Sequence, residues 1–169
     1  MNHPMLDGEL QRCEMRFPEN YLYRPTYDLP RGITPDFFIY QFPVVNQLAV
    51  DANITVSVQV QNDADFECRA IAYFYNLFDA AFTQQTRPIP NWTLMLTESG
   101  SGRNLFSAAV PVGSVAWNGE GAMRELIWPK IFGKNSVITA TFVNFDAAAT
   151  TGQMYLSLVG RKLFSGMPR

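Results

Sequence analysis

Between residues 54 and 61 apolar and polar side chains alternate without a break: Ile54, Val56, Val58 and Val60 fall on one side, Thr55, Ser57, Gln59 and Gln61 on the other. A period of two predicts a β-strand with one buried and one wet face. Further strands are predicted at 70–75, 92–97, 137–145 and 154–160. Turn signals separate them at Asn62-Asp63, Ser99-Gly100-Ser101-Gly102, Asn118-Gly119, Gly133-Lys134-Asn135 and Thr151-Gly152. Only Gly121 to Leu126 carries a helix-compatible pattern, with Trp128-Pro129 to close it. Short strands, regular turns and no βαβ rhythm predict an all-β fold: a single antiparallel β-sandwich or jelly-roll-like domain.

Residues 1–36 read differently. Pro4, Pro18, Pro25, Pro30 and Pro35 recur among Phe17, Tyr21, Tyr23 and Tyr27. Proline at this density blocks regular pairing, while the aromatics are too adhesive for a free tail. The chain is therefore divided into an extended, proline-rich N-terminal arm (1–36) and a β-sandwich domain (37–169). The arm lies along its own domain or along a neighbouring subunit, and Tyr21, Tyr23 and Tyr27 are its candidate contacts.

Composition supports a folded core, since 47% of the 169 residues are hydrophobic and only 17% charged. Net charge is −2, yet its distribution is uneven. Residues 1–99 hold 12 acids and 6 bases, and residues 100–169 hold 3 acids and 7 bases. Opposite-signed parts of a chain can attract within one fold or between adjacent copies. The bases that could reach a neighbour are Arg103, Arg124, Lys130, Lys134, Arg161 and Lys162. No dense run of cations suggests direct binding to nucleic acid. No apolar run reaches membrane-spanning length, and the N-terminus lacks a secretory pattern, so a chain made and kept in the cytoplasm is expected. Asn53-Ile54-Thr55 and Asn91-Trp92-Thr93 are then coincidental sequons, and Cys13 and Cys68 are free thiols.

Candidate chemistry is sparse. His3 is the single histidine, which argues against Ser-His-Asp or Cys-His catalysis and against a histidine-ligated zinc. Asp63 and Asp65, near Asp51 and Glu67, offer oxygens for a hard cation but lack the spacing and glycine of a calcium loop, so the rim of a sheet is the simpler reading. Glu98-Ser99-Gly100-Ser101-Gly102-Arg103 has the small residues of an anion nest without the ending of a phosphate loop, and reads as a hairpin tip. Glu98, Glu120 and Glu125 would have to meet in space to form a glycosidase pair. Trp92, Trp117 and Trp128 with Tyr73, Phe74, Tyr75 and Phe78 form either a sugar-stacking platform or core and subunit contacts. No catalytic residue, metal site or cofactor is expected.

The stretches "NDADFE", "ESGSGRNLF" followed by "VPV", "WPKIFGKNSVITATFVN" and "LSLVGRKLF" resemble those of small structural proteins of tailed bacteriophages. The resemblance covers roughly residues 37–164 and leaves the arm outside. It implies a non-enzymatic virion subunit of β-sandwich type, made in the host cytoplasm. Such a subunit decorates or cements the capsid, or serves at the neck or tail. Its implied partners are further copies of itself and other virion proteins, namely the major capsid, portal or connector proteins. The competing expectation is a receptor- or glycan-binding sandwich at a tail tip.

Overall fold

The computed structural model describes residues 33–46, 48–78, 85–86, 90–119, 123–145 and 152–165. They form two antiparallel sheets packed face to face, so the domain is all-β and sandwich-like. The arm residues Tyr21, Tyr23 and Tyr27 lie outside the described residues.

The first sheet is organised by two long strands, β4 (Asp65–Phe78) and β11 (Gly152–Ser165), which pair along nearly their whole length. On the outer side of β11 run β1 (Ile33–Gln41) and then β2 (Val45–Asn46). Along the other side of β4 lie β9 (Glu125–Phe132), a single bridge from Ala72 to Trp117, and β5 (Gln85–Thr86). The second sheet runs β3 (Asn53–Gln59), β10 (Val137–Asn144), β6 (Trp92–Glu98), β7 (Arg103–Asn104), with β8 (Val110–Pro111) also on β6. The helix α1 (Val112–Val115) follows β8.

The alternation in the sequence fixes the faces. In β10 Ile138, Ala140 and Phe142 point inward, and in β6 Trp92, Leu94 and Leu96 do, all essentially fully buried. Register places Phe142 beside Leu94 and Ala140 beside Leu96. The first sheet meets them with Phe66, Cys68, Ile71, Tyr73, Tyr75, Leu156 and Leu158. The Trp92 ring packs on Tyr75 at 5.5 Å and Phe142 at 6.1 Å between centroids. Outward on the second sheet, Thr55 bonds Thr141 and Ser57 bonds Thr139, both at 3.1 Å, the ordinary wet face of a sandwich.

Besides β4, which runs from Asp65 to Phe78 where a strand over 70–75 was expected, three boundaries differ from the sequence reading. The short helix expected at 121–126 gives way to a strand, for β9 already begins at Glu125 and runs through Trp128-Pro129. Strand pairing goes from Ala70–Glu125 to Cys68–Lys130, so β9 loops outward and accommodates the proline without a missing ladder bond. β1 starts at Ile33, within the segment read as arm, and carries Pro35 on a strand that is paired on one side by β11. Third, β11 continues past Gly160 to Ser165.

Gly160 marks a close approach rather than an end. A Cβ at this position would lie 2.0 Å from the Glu67 carbonyl oxygen and 3.1 Å from the Cys68 Cα. The register shifts here, between Val159 and Gly160, opposite the bulged stretch Cys68–Ala70. Only glycine lets the two long strands come together at that point.

Candidate interaction surface

Asp63 and Asp65, read from the sequence as the rim of a sheet, make two separate contacts beyond the end of β3. Asp63, in the turn before β4, accepts a 2.7 Å hydrogen bond from Lys162 Nζ, and Asp65 Oδ1 accepts one of 2.9 Å from the Lys134 backbone N–H. Phe66 between these acids and the core is fully buried. Lys162 also donates to Gln61 Oε1 and lies 4.2 Å from the Phe38 ring centroid, so a mostly buried ammonium is held by a carboxylate, an amide and an aromatic face. The Lys162 bond holds the Asp63 carboxyl below its ordinary pKa, against a smaller opposing effect of desolvation. Among the described residues no group of three histidine, cysteine or acidic side chains is placed to hold a metal ion.

A second cluster lies where β4 and β11 face each other. Glu67 stands opposite Arg161 in register, and its carboxylate accepts from Arg161 Nε and from Arg69 Nη2, the latter at 3.2 Å. All three side chains are largely buried, and Arg69 Nε and Nη1 have no hydrogen-bond partner. Sequence reasoning named Arg161 but not Glu67 or Arg69. The available signal was Glu67-x-Arg69 in a predicted strand, since residues two apart share a face.

The same register extends this cluster into a row across four strands: Phe37 on β1, Arg161 on β11, Glu67 on β4 and Ile131 on β9. Its two ends are unusually bare, with Phe37 64% and Ile131 54% exposed, and Ile39 two residues along β1 is 46% exposed. Phe38 and Tyr40 point the other way, into or against the core.

The third feature lies at the seam between the sheets. The β6–β7 hairpin turns through Ser99–Gly102, with Gly102 at φ +62°, and pairs Glu98 with Arg103. This is the hairpin tip read from the sequence. Glu98 points inward at the end of β6, where it accepts from Ser101 Oγ at 2.9 Å and meets Lys130 Nζ of the other sheet at 3.2 Å. Beside that bridge opens a cleft of about 320 Å³ lined by Arg103, Leu105, Phe106, Leu126, Pro129 and Lys130. Its far wall is the outward loop of β9.

The candidate cations therefore divide. Lys130, Arg161 and Lys162 each meet an acid from the first 99 residues of the same chain. Arg124 donates to the Ser114 carbonyl at 2.7 Å and fastens the segment before β9 to α1. The Lys134 and Arg103 side chains are exposed, and Arg103 shares the seam cleft with Lys130. Of the aromatics weighed as a sugar platform, Trp92, Tyr73 and Tyr75 are buried in the core, Phe74 and Trp117 are half-buried, and Trp128 and Phe78 have side chains outside the described residues. Cys68 is a free, fully buried thiol, pushed up to about 12 by desolvation; Cys13 lies outside the described residues.

Neither a comparison with protein-family models nor one with curated proteins finds a match for this chain.

Proposed function

We propose that the protein is a non-enzymatic structural subunit of a tailed-phage virion, which decorates or cements the capsid or forms part of the neck or tail. The observation that carries this reading is the outer face of the first sheet, where Phe37, Ile39 and Ile131 stand exposed. Two of them sit on β1, the strand that continues directly from the proline- and tyrosine-rich segment. Large apolar side chains grouped on one rigid face favour a protein partner, because each buried against a neighbour contributes to association. The resemblance of "ESGSGRNLF", "WPKIFGKNSVITATFVN" and "LSLVGRKLF" to tailed-phage structural proteins supports the same reading. So does the use of the carboxylates: Asp63, Asp65, Glu67 and Glu98 each hold two parts of the fold together. Partners on this reading are further copies of the chain and the major capsid, portal or connector proteins, met in the virion after synthesis in the host cytoplasm.

The test is the solution mass by light scattering of the full chain beside Phe37→Asp/Ile131→Asp. A defined oligomer that the variant dissolves into monomer, with its unfolding midpoint unchanged, is the expected result. A wild-type chain that stays monomeric at all concentrations, and whose tryptophan fluorescence shifts with added polysaccharide, would replace this reading with the glycan-binding one.

A further inference from the structure

We propose that the open edge of β1 is a strand-pairing site for β1 of a second copy of this chain, so that two domains join into one continuous antiparallel sheet across a two-fold axis. The inference rests on the assembly reading above and names the surface and register through which copies meet.

Hydrogen-bond parity fixes what this edge offers. Among the described residues β1 pairs with β11 alone. The bond from the Phe42 N–H to the Leu156 carbonyl, 3.0 Å, continues that register by one residue. In an antiparallel pair, residues that exchange bonds alternate with residues that do not. Phe42, Tyr40, Phe38 and Asp36 therefore direct their backbone groups to β11, while Gln41, Ile39, Phe37 and Pro35 direct theirs to the open side. Pro35 has no N–H to leave unpaired there, and the open donors after it belong to Phe37, Ile39 and Gln41. Phe37 and Ile39 are also bare, at 64% and 46% exposed. An edge that combines unpaired backbone groups with exposed apolar side chains is a template for another strand.

The edge fits its own copy better than the other strands at hand. The second sheet also ends on a strand paired on one side, β3. There the bond from the Val60 N–H to the Ser136 carbonyl, 2.8 Å, sets the parity and turns Asn53, Thr55, Ser57 and Gln59 to the open side. Those side chains are polar, so β3 offers Phe37 and Ile39 little apolar contact. The segment before β1 holds Pro18, Pro25 and Pro30, whose missing donors interrupt a ladder laid back along its own edge.

β1 against β1 has neither defect. With Phe37 opposite the partner's Ile39, and Ile39 opposite the partner's Phe37, each open-side apolar residue covers another. Both copies of Pro35 then fall at the ends of the new ladder, opposite Gln41, and roughly six main-chain hydrogen bonds form between them. Asp36, the one charge on β1, stands opposite a tyrosine and not opposite a second Asp36. Such a contact is isologous and closes at the dimer.

Residue-resolved amide hydrogen exchange of the full chain tests the pairing, run at concentrations on both sides of the association seen by light scattering. The N–H groups of Phe38, Tyr40 and Phe42 should be protected throughout. Those of Phe37, Ile39 and Gln41 should exchange freely in the monomer and slow at least tenfold in the dimer. Ile39→Pro removes an open-side donor without removing a bond to β11, and should raise the dimer dissociation constant at least tenfold with a near wild-type thermal midpoint for the monomer. Phe37→Lys keeps every backbone group and should weaken the dimer similarly, because a lysine guards the edge. A dimer whose Phe37, Ile39 and Gln41 amides still exchange freely overturns the edge pairing and leaves assembly through another surface intact. Full protection of these amides in the monomer also overturns it, because the chain's own N-terminal segment then holds the edge. A chain that is monomeric at every concentration removes both the edge pairing and self-assembly.

Discussion

Replacing Gly160 with alanine should be among the most damaging single-methyl changes in this protein. The added Cβ would lie 2.0 Å from the Glu67 carbonyl oxygen, 2.9 Å from its carbon and 3.1 Å from the Cys68 Cα, all backbone atoms of the paired strand. Even close C–H···O contacts between strands hold carbon and oxygen about 3.3 Å apart, so β4 and β11 must separate by more than 1 Å. A hydrogen bond near 2.9 Å stretched that far is lost, at roughly 1 kcal/mol for each of about two flanking bonds. Repacking around the displaced strands adds about 1–3 kcal/mol. The sum, about 3–5 kcal/mol, corresponds to a fall in Tm of about 10 °C for a chain of this length. Gly133→Ala is the matched control: nothing lies within 4 Å of its added Cβ and its φ is not positive, so it should stay within about 0.5 kcal/mol of wild type. Urea unfolding followed by circular dichroism measures both. If Gly160→Ala unfolds within 1 kcal/mol of Gly133→Ala by the same assay, the close approach of β4 and β11 is not what this position requires of its residue.

Three further outcomes follow from the buried charges and the thiol. Glu67→Ala should cost about 3–5 kcal/mol, since it strands Arg69 and Arg161 together, whereas replacing all three by apolar residues of similar size should cost far less; chemical denaturation of both variants decides it. The Cys68 thiol should resist a thiol reagent until the protein unfolds. Because its pKa is raised from 9.0 to about 12 in the fold, stability fully present below pH 9 should decline as pH rises towards 12, with a slope that Cys68→Ala removes. Asp63 behaves in the opposite sense: its pKa is lowered by the Lys162 bond, so its stabilisation is present above the ordinary carboxylate pKa and disappears as pH falls through the lowered value. Asp63→Asn should flatten that acid limb, and Lys162→Met should flatten it equally, as seen by thermal melts across pH 2–6.

What the sequence revealed depended on how local the signal was. Strict alternation located β3, β6 and β10 to within a residue or two, because a half-buried strand needs nothing else to declare its faces. β9 was hidden by Trp128-Pro129, which reads as a stop but lies in an outward loop of a bulged strand. Pro35 disguised the start of β1 in a similar way, since a strand paired on one side tolerates a residue without an N–H. Gly160 read as the end of β11 although it is where the strand fits most tightly. Arg103 and Lys130 were both named as candidates, yet their meeting at one cleft depends on how two sheets stack, and no spacing along the chain encodes that. Glu67 opposite Arg161 depends equally on a pairing 94 residues apart in sequence.

Those pairings also change the meaning of the charge asymmetry along the chain. The excess of acids before residue 100 and of bases after it allowed attraction within one fold or between adjacent copies. In the fold, Asp63 meets Lys162, Glu67 meets Arg161 and Glu98 meets Lys130, so three such attractions close within one chain. Each joins segments far apart in sequence, and the Glu98–Lys130 bridge ties one sheet to the other. Long-range complementarity of this kind lets distant strands select their partners without leaving a charged surface that binds copies indiscriminately. On the proposed assembly reading, the exposed apolar side chains at Phe37, Ile39 and Ile131 are then what a neighbour would meet. If such assembly occurs, it should depend only weakly on salt, because Lys130, Arg161 and Lys162 of the basic half are already paired within the chain.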